Sequence, residues 1–319
     1  MFESDALFMH QNFQLICRDK ECSIYQLKNE TGDGIVIYYQ LYPGIAIMYN
    51  NFHISNNKGR DMEGGDYISI HHCKEGRVES EAITGEYLYL EPGDVILENH
   101  STAEYSFCGF PLNYYYGVSI VISMTDIIIN DIRKILELYS IDFEEIEKKF
   151  FLKKGPCVIR GDSLTNHIFS EFYSIPDAIK TEYLRVKVVE LLLSLKVVDT
   201  SNIRKIRPYF CKAQVEKVKA IKEYMIQSPE IHYTIKELAE KFDISESSLK
   251  RCFKGIYGIA IYSYMKKYRM NIAMTLLTES NESIANIAGK IGYSNSSKFA
   301  EAFKSLKGTT PLEYRKIKI

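Results

Sequence analysis

The first part of the chain shows the apolar pattern of β-strands. Between residues 13 and 122, short runs rich in β-branched and aromatic residues lie at 34–39, 45–49, 67–73, 86–90, 95–97 and 115–122. Turn signals such as Thr84-Gly85 and Pro92-Gly93-Asp94 separate these runs. Many short strands with regular turns are typical of all-β folds. We therefore predict a β-barrel or β-sandwich over residues 1–124.

From residue 125 the apolar spacing becomes helical. A helix is predicted over 126–139 and a second over 181–197, because apolar residues recur every three or four positions. The second helix carries a wide apolar stripe formed by Leu184, Val188, Leu191, Leu192 and Leu195. Such a stripe is either ordinary core or a seam between two copies of the chain. We predict a helical dimerisation segment over 125–198 with this stripe as its seam.

A polar, basic stretch over 199–212 predicts a linker to a helical domain over 213–319. Thr234 and Glu237 form a capping box that starts a helix over 235–242. Ser245 caps a helix from 246 to about 256, which Gly258 ends. A longer amphipathic helix follows over 261–277.

The same signals then appear a second time. Ser283 caps a helix over 284–291, Ser294 is the predicted cap of a helix to about 305, Gly308 ends it, and Pro311 begins a last short helix. The inner positions repeat: Ile235, Leu238, Ala239, Phe242 and Ser245 recur 49 residues later as Ile284, Ile287, Ala288, Ile291 and Ser294. Leu249 and Phe253 recur 50 residues later, as Phe299 and Phe303, so we expect one extra residue after the second turn. Each copy is predicted to be a helix-turn-helix unit.

Charge is divided unevenly between these regions. From residue 213 the chain has 18 basic and 11 acidic side chains, whereas the first 212 residues have 22 basic and 30 acidic ones. A basic helical domain on an acidic body suits a module that binds nucleic acid. The seven cysteines show no close Cys-x-x-Cys spacing, and we recognise neither a signal peptide nor an apolar run that could span a membrane. We expect a cytoplasmic protein with reduced thiols and no membrane partner.

One combination of motifs is specific to a family. It comprises Phe253-Lys254, Gly258, Arg269 with Ala273, Leu276 and Leu277, Ile287-Ala288, Gly292-Tyr293, Phe303-Lys304, Gly308-Thr309-Thr310-Pro311 and Tyr314-Arg315. About 100 residues of the chain thereby resemble the C-terminal domain of the AraC/XylS family of transcription regulators. The resemblance implies an α+β multidomain protein with a cupin-like sensor, a helical dimerisation segment and an all-α domain of two helix-turn-helix units.

The resemblance also implies a function and partners. We expect a sequence-specific transcription regulator, an activator rather than an enzyme, that binds double-stranded DNA as a homodimer and acts on RNA polymerase. We expect a small-molecule effector at the N-terminal domain and assign no cofactor and no metal. Two alternatives stay open, namely a cupin-type metal-dependent enzyme fused to a DNA-binding domain and a regulator controlled by a protein partner.

The outward faces of the second helix in each unit supply the predicted DNA contacts. Leu249, Cys252 and Phe253 face inward in the first unit, as do Phe299, Ala302 and Phe303 in the second. The predicted contacts to base edges are Ser247, Lys250, Arg251, Ser296, Ser297 and Glu301, and the predicted contacts to phosphates are Ser245, Lys254, Asn295, Lys298 and Lys304. The alternative is that these residues form ordinary solvated helix faces.

The N-terminal domain offers candidate ligand-binding residues. His71 and Cys73 point to one face of a predicted strand and His72 to the other. We predict His71, Cys73 and Tyr89 as effector-binding residues, since tyrosines provide apolar walls with a hydroxyl. Two alternatives remain for the strand, namely a transition-metal site formed by His71, Cys73 and His100 and ordinary packing of the β-domain.

Overall fold

The computed structural model describes residues 13–55, 66–102, 105–151, 155–159, 163–199 and 210–317. The chain forms two compact units, of which the first ends at Tyr209 and the second begins at Phe210. The first unit is an antiparallel β-domain with added helices, and the second contains the helix-turn-helix helices. The predicted combination of an N-terminal β-domain and a C-terminal helical domain is confirmed.

Eleven strands are described in the first unit. They are β1 (Phe13–Arg18), β2 (Cys22–Asn29), β3 (Gly32–Tyr42), β4 (Ile45–His53), β5 (Tyr67–Gly76), β6 (Val78–Ala82), β7 (Glu86–Leu90), β8 (Val95–Asn99), β9 (Tyr105–Gly109), β10 (Tyr115–Ser123) and β11 (Cys157–Ile159). Eight of them form an antiparallel sheet in the order β1-β2-β3-β4-β10-β5-β8-β11. In a smaller sheet, β6 pairs with β7 and with β9.

Of the two predicted architectures, barrel and sandwich, the described residues do not form a closed barrel. Within the described residues the large sheet stays open, with β1 and β11 as its two edges. Both faces of this sheet are covered instead. Helices cover one face, and Leu88 and Leu90 of the smaller sheet join the core on the other. The central strand β10 is therefore buried on both sides, with Ile120 facing the helices and Val121 facing the smaller sheet.

Four α-helices of the first unit are α1 (Asp126–Glu137), α2 (Phe143–Phe150), α3 (Ser163–Phe172) and α4 (Lys180–Leu195). Hydrogen bonds hold them on the sheet: the Tyr49 hydroxyl of β4 donates to the Phe172 carbonyl at 2.7 Å, and Arg185 Nε of α4 donates to the Leu41 carbonyl at 2.8 Å. The sheet and these helices share one apolar core.

The prediction that five apolar residues of α4 form a dimer seam is wrong. Leu184, Val188, Leu191, Leu192 and Leu195 are at most 1% exposed, and all five lie in the core of their own chain. They are already covered by the sheet and the neighbouring helices, so they are not available to a second copy. The apolar residues of α4 that remain exposed are Val186 and Leu193, on the opposite face. Of the two sequence interpretations, ordinary core is the one observed.

The second unit begins with a two-residue strand, β12 (Phe210–Cys211), and continues as helices. They are α5 (Lys212–Gln227), α6 (Ile235–Lys241), α7 (Glu246–Tyr257), α8 (Ile261–Glu279), α9 (Ile284–Lys290), α10 (Ser296–Lys307) and α11 (Pro311–Ile317). Each predicted helix over 235–317 is present, with ends that differ by at most about two residues. In the described part of the chain, no helix combines the length and apolarity needed to cross a membrane.

Candidate nucleic-acid interface

The first helix-turn-helix unit consists of α6 and α7, and its predicted caps are confirmed. The Thr234 backbone N–H donates to Glu237 Oε2 at 2.8 Å, and the Glu237 N–H donates to the Thr234 hydroxyl at 3.2 Å. The Thr234 N–H and the Thr234 hydroxyl, which donates to Glu237 Oε2 at 2.9 Å, stabilise the charged carboxylate and hold the pKa of Glu237 below its usual value. Asp243 turns the chain with φ +49, and the Ser245 hydroxyl accepts from the Ser248 N–H at 3.2 Å to start α7.

The second helix-turn-helix unit consists of α9 and α10, and its caps correspond to those of the first with one difference. Ser283 caps α9 by accepting from the Asn286 N–H at 3.1 Å. The predicted cap of α10, Ser294, is wrong: Asn295 Oδ1 accepts from the Ser297 N–H at 2.7 Å, and the helix begins at Ser296. The extra residue of the second copy therefore lies in the turn, before the cap, rather than after it.

The inner faces of both recognition-helix candidates are fully buried. Leu249 and Phe253 of α7, and Phe299 and Phe303 of α10, have no measurable exposure. Cys252 shares the inner face of α7, and burial raises the pKa of its thiol to about 12. Five of the six predicted inward positions are thus buried, and Ala302 is partly buried against the same core as Phe299 and Phe303. The phase of each helix is fixed by this packing.

The eleven residues predicted to contact DNA all lie on exposed surface. On α7 and its cap these are Ser245, Ser247, Lys250, Arg251 and Lys254, and on α10 and its cap they are Asn295, Ser296, Ser297, Lys298, Glu301 and Lys304. Lys250 Nζ donates to Glu246 Oε2 at 3.3 Å along the helix. Such an exposed pair contributes little and is readily exchanged for a phosphate. Contact with DNA stays a prediction for all eleven.

A turn between α9 and α10 depends on a glycine. Gly292 has φ +84, and a Cβ built there would lie 2.5 Å from the Glu230 carbonyl oxygen. The Gly292 carbonyl is also 2.8 Å from Nε2 of His232. The segment that leads into the first helix-turn-helix unit therefore packs directly against the turn of the second unit.

Arg269 of the connecting helix α8 secures the same segment. Its side chain is 4% exposed, Nε donates to the Pro229 carbonyl at 2.6 Å, and Nη2 donates to the Ile231 carbonyl at 2.9 Å. Desolvation lowers the pKa of this guanidinium, and the two carbonyl oxygens compensate its burial. In the sequence, Arg269 is recognised only as a motif residue. Its position four residues from both Met265 and Ala273, which are buried, is the signal that places it on the inner face.

A second capping box starts the last helix and was not predicted. The Thr310 N–H donates to Glu313 Oε2 at 2.8 Å, and the Glu313 N–H donates to the Thr310 hydroxyl at 3.3 Å. The Thr-x-x-Glu spacing that identified the start of α6 is present here too. The last helix is thus fixed at its first turn, directly after the Gly308 cap of α10.

The three predicted effector residues do not line one cavity. Cys73 is fully buried in the core between the sheets. Tyr89 is 3% exposed, and its hydroxyl donates to Glu79 Oε2 at 2.7 Å. Because Leu88 and Leu90 enter that same core, Tyr89 points to the opposite face of the smaller sheet. The prediction that both residues contact an effector together with His71 is therefore wrong.

The predicted division of the histidine pair between two faces is confirmed. His72 stacks on Phe169 of α3 with ring centroids 4.3 Å apart. Burial, and then Lys74, lower its pKa to about 4, so this ring is neutral at pH 7. His71 lies on the other face, where Nδ1 is 2.7 Å from the Ser119 hydroxyl oxygen.

His71 is brought together with His100, which the metal alternative includes, and with Glu98, which it does not include. His71, Glu98 and His100 each offer a ligand atom, and these atoms lie within 4.8 Å of one another. The sequence alternative of a metal site placed Cys73 beside the two histidines, whereas the structure places Glu98 there. Burial raises the pKa of Glu98 to about 7. The residues of this cluster are half-buried.

In the comparison with known proteins, the family-model match lies within the compact unit that begins at Phe210. A family model described as a helix-turn-helix domain matches residues 238–317. The transcriptional activator RhaR of Mannheimia succiniciproducens is 32% identical over 103 residues, which are 32% of this chain and 37% of that protein. A putative AraC-like transcription regulator of Streptomyces lividans is 33% identical over 90 residues, or 28% of this chain and 30% of that protein. The match therefore spans about a third of these relatives.

Two solved structures match different extents of this chain. The C-terminal domain of the response regulator yesN of Fusobacterium nucleatum is 30% identical, with a TM-score of 0.29, and the match covers 30% of this chain and 95% of that one. ToxT of Vibrio cholerae matches over 84% of this chain and 97% of its own, with 15% identity and a TM-score of 0.31.

Proposed function

Because the helix-turn-helix region of this chain belongs to the AraC/XylS family of transcription regulators, we propose that the protein is a sequence-specific DNA-binding transcription regulator. One observation carries the proposal. Two copies of a helix-turn-helix unit, each packed on buried residues of its inner face, present polar and basic residues on the outer face of the second helix. That outer face is the one which enters a major groove in helix-turn-helix proteins.

In the first unit, α7 is the proposed recognition helix. Ser247, Lys250 and Arg251 are proposed to contact base edges, and Ser245 and Lys254 are proposed to contact phosphates. The guanidinium of Arg251 can donate two hydrogen bonds to O6 and N7 of guanine, the most common specific contact in the major groove.

In the second unit, α10 has a different chemistry. Ser296, Ser297 and Glu301 are proposed to read bases, and the Glu301 carboxylate accepts hydrogen bonds only, which suits the exocyclic amine of cytosine. Lys298 and Lys304 are proposed to contact phosphates. Asn295 is proposed to do the same through its amide nitrogen, since its oxygen caps the helix.

The remaining parts of the proposal rest on the family. The related RhaR is named a transcriptional activator, so we propose activation through RNA polymerase, a homodimer, and control by a small-molecule effector at the N-terminal unit in the cytoplasm. The dimer contact does not use the buried stripe of α4. A regulator controlled by a protein partner is the second candidate, since Cys73 and Tyr89 are both buried rather than open to a small molecule.

A fragment selection tests the central proposal. The purified full chain is incubated with sheared genomic DNA at near-physiological salt, and the retained fragments are sequenced. We expect a compact enriched motif that spans two successive major grooves. Uniform retention that weakens equally for all sequences as salt rises would contradict sequence-specific binding.

Arg251→Ala is expected to weaken binding to the selected sequence by about 5- to 150-fold, because a bidentate contact contributes about 1–3 kcal/mol of base discrimination. Binding to unrelated DNA should change by no more than about two-fold. Arg251→Lys is the matched control, because it keeps the charge and loses the fork. Fluorescence anisotropy with both DNAs measures the effect, and equal losses on both would remove Arg251 from the base contacts.

Lys304→Ala is expected to weaken binding to all sequences alike. Removal of one phosphate contact should reduce the slope of log K against log salt by about 0.9, because one fewer counterion is released. Titrations at four salt concentrations give the slope, and Lys304→Arg should preserve it. An unchanged slope in the alanine variant would show that Lys304 does not contact a phosphate.

A further inference from the structure

Two neighbouring strands of the large sheet, β5 and β8, and the turn that follows β8 bring His71, Glu98 and His100 together. His71 lies on β5, with Ser119 of β10 directly opposite on one side. On the other side β8 pairs with β5 so that Glu98 lies opposite Ser69, diagonal to His71 on the same face. His100 follows β8 in a short 3₁₀ turn. The cluster thus rests on rigid backbone.

From this arrangement we propose that the first unit binds one divalent transition-metal ion through His71, Glu98 and His100. The ligand atoms lie within 4.8 Å of one another, and His71 Nε2 is 3.8 Å from Glu98 Oε2. A tetrahedral ion with bonds of about 2.0–2.1 Å holds its ligand atoms about 3.4 Å apart. Rotation of the flexible Glu98 side chain brings its carboxylate to that distance from His71 Nε2.

Hydrogen bonds already orient both imidazole rings. His71 Nδ1 is 2.7 Å from the Ser119 hydroxyl oxygen, and that oxygen accepts from Asn50 Nδ2 at 2.8 Å. A proton on Nδ1 donated to Ser119 leaves the Nε2 lone pair directed toward the Glu98 side. Metal-binding histidines almost always make such a bond with their second nitrogen.

His100 is held in a comparable way. Its Nε2 is 2.7 Å from the Ser69 hydroxyl oxygen, and its ring stacks on Tyr67 with centroids 4.2 Å apart. Both rings are therefore positioned before an ion arrives, and little side-chain entropy is lost on binding.

The donor set selects the class of ion. Two imidazoles and one carboxylate suit Zn²⁺ and neighbouring divalent transition metals, whereas Mg²⁺ and Ca²⁺ prefer all-oxygen sites. The His71 and Glu98 side chains are 27% and 21% exposed, which leaves a path for the ion. Three protein ligands leave a fourth position for water or a small ligand. Metal binding of this kind does not depend on the proposed DNA binding.

The full chain, stripped with a chelator and dialysed under reducing conditions, provides the test. Equilibrium dialysis against Zn²⁺ with elemental analysis should give one ion per chain at this site, and Mg²⁺ should not compete. His71→Ala, His100→Ala and Glu98→Gln should each weaken the site by about 100-fold or more, since a direct ligand matters at least as much as its hydrogen-bond partners. Glu98→Gln keeps the shape of the side chain and guards against loss of the fold.

Two controls separate this site from adventitious binding. His167 and Glu171 form an exposed histidine–carboxylate pair on α3 at 3.4 Å, so His167→Ala should leave the stoichiometry and affinity unchanged. Co²⁺ in place of Zn²⁺ should give an absorption spectrum without sulfur charge-transfer bands, which excludes binding by the exposed thiols of Cys17 and Cys211.

The proposal is overturned if no ion binds at micromolar concentration, if the affinity survives all three ligand substitutions, or if Co²⁺ reports thiolate ligands. A failed fragment selection would reject the proposed function and leave this result as it stands, because dialysis contains no DNA. Retention of the ion by His167→Ala together with its loss in the three ligand variants supports the site.

Discussion

Arg269→Ala is expected to lower the free energy of opening of the helical unit that begins at Phe210 by about 3 kcal/mol, because it leaves two buried carbonyl acceptors without their donor. The carbonyls belong to Pro229 and Ile231, and the guanidinium that serves them is 4% exposed. Without it, the segment before α6 loses its attachment to α8. Loss of the long buried side chain adds a cavity on the inner face of the same helix.

The effect is best measured by native-state hydrogen exchange, resolved to peptides from α8 and α10 in the full chain. A loss of about 3 kcal/mol corresponds to a decrease in protection of about 100-fold. Lys267→Ala is the matched control, since Lys267 is a cation on the exposed face of the same helix, and it should change protection by less than about two-fold. Equal changes in the two variants would mean that Arg269 contributes only charge.

Gly292→Ala is expected to cost about 3 kcal/mol or more and to abolish sequence-specific binding by the second helix-turn-helix unit. A φ of +84 already costs a non-glycine residue about 1–2 kcal/mol. The added Cβ would also lie 2.5 Å from the Glu230 carbonyl oxygen, which is backbone and cannot rotate away. The turn or the segment around Glu230 must therefore move.

Gly308→Ala separates these two costs. Gly308 has a φ of +77, close to that of Gly292, but a Cβ there meets no atom within 4 Å. This variant should lose only the backbone contribution, about 1–2 kcal/mol. Hydrogen exchange of α10 and anisotropy with the selected DNA report both variants. Similar losses at the two glycines would show that the contact with Glu230 is relieved at little cost.

Much of the helical unit that begins at Phe210 was predictable because its helix-capping signals are local. Thr234 with Glu237, Ser245, Ser283 and Gly308 each act on backbone groups a few residues away. The start of α10 was mispredicted for a local reason as well. Ser294 and Asn295 are adjacent and both suit a cap, and the 49-residue repeat favoured the wrong one. Only the packing phase of Phe299 decides between them.

The first unit was predicted less well because its outcome depends on distant pairing. Glu98 joins His71 through the β5–β8 register, and nothing near Glu98 in the sequence specifies that register. The apolar stripe of α4 shows the same limit. Periodicity identifies a face that must be covered, but spacing alone does not say whether a sheet or a second chain covers it. Here Leu184 and Val188 lie in the core that the helix shares with the chain's own sheet.

Chemical modification of Cys252, on the inner face of α7, reports the opening of the first helix-turn-helix unit. Burial raises the pKa of the Cys252 thiol to about 12, so the thiol stays protonated and unreactive at neutral pH, and the residue is fully buried. Oxidants and alkylating reagents therefore reach it only when α7 separates from its neighbours, whereas the exposed Cys17 and Cys211 react in the closed state. The rate at which Cys252 is modified therefore measures how often α7 separates from its neighbours.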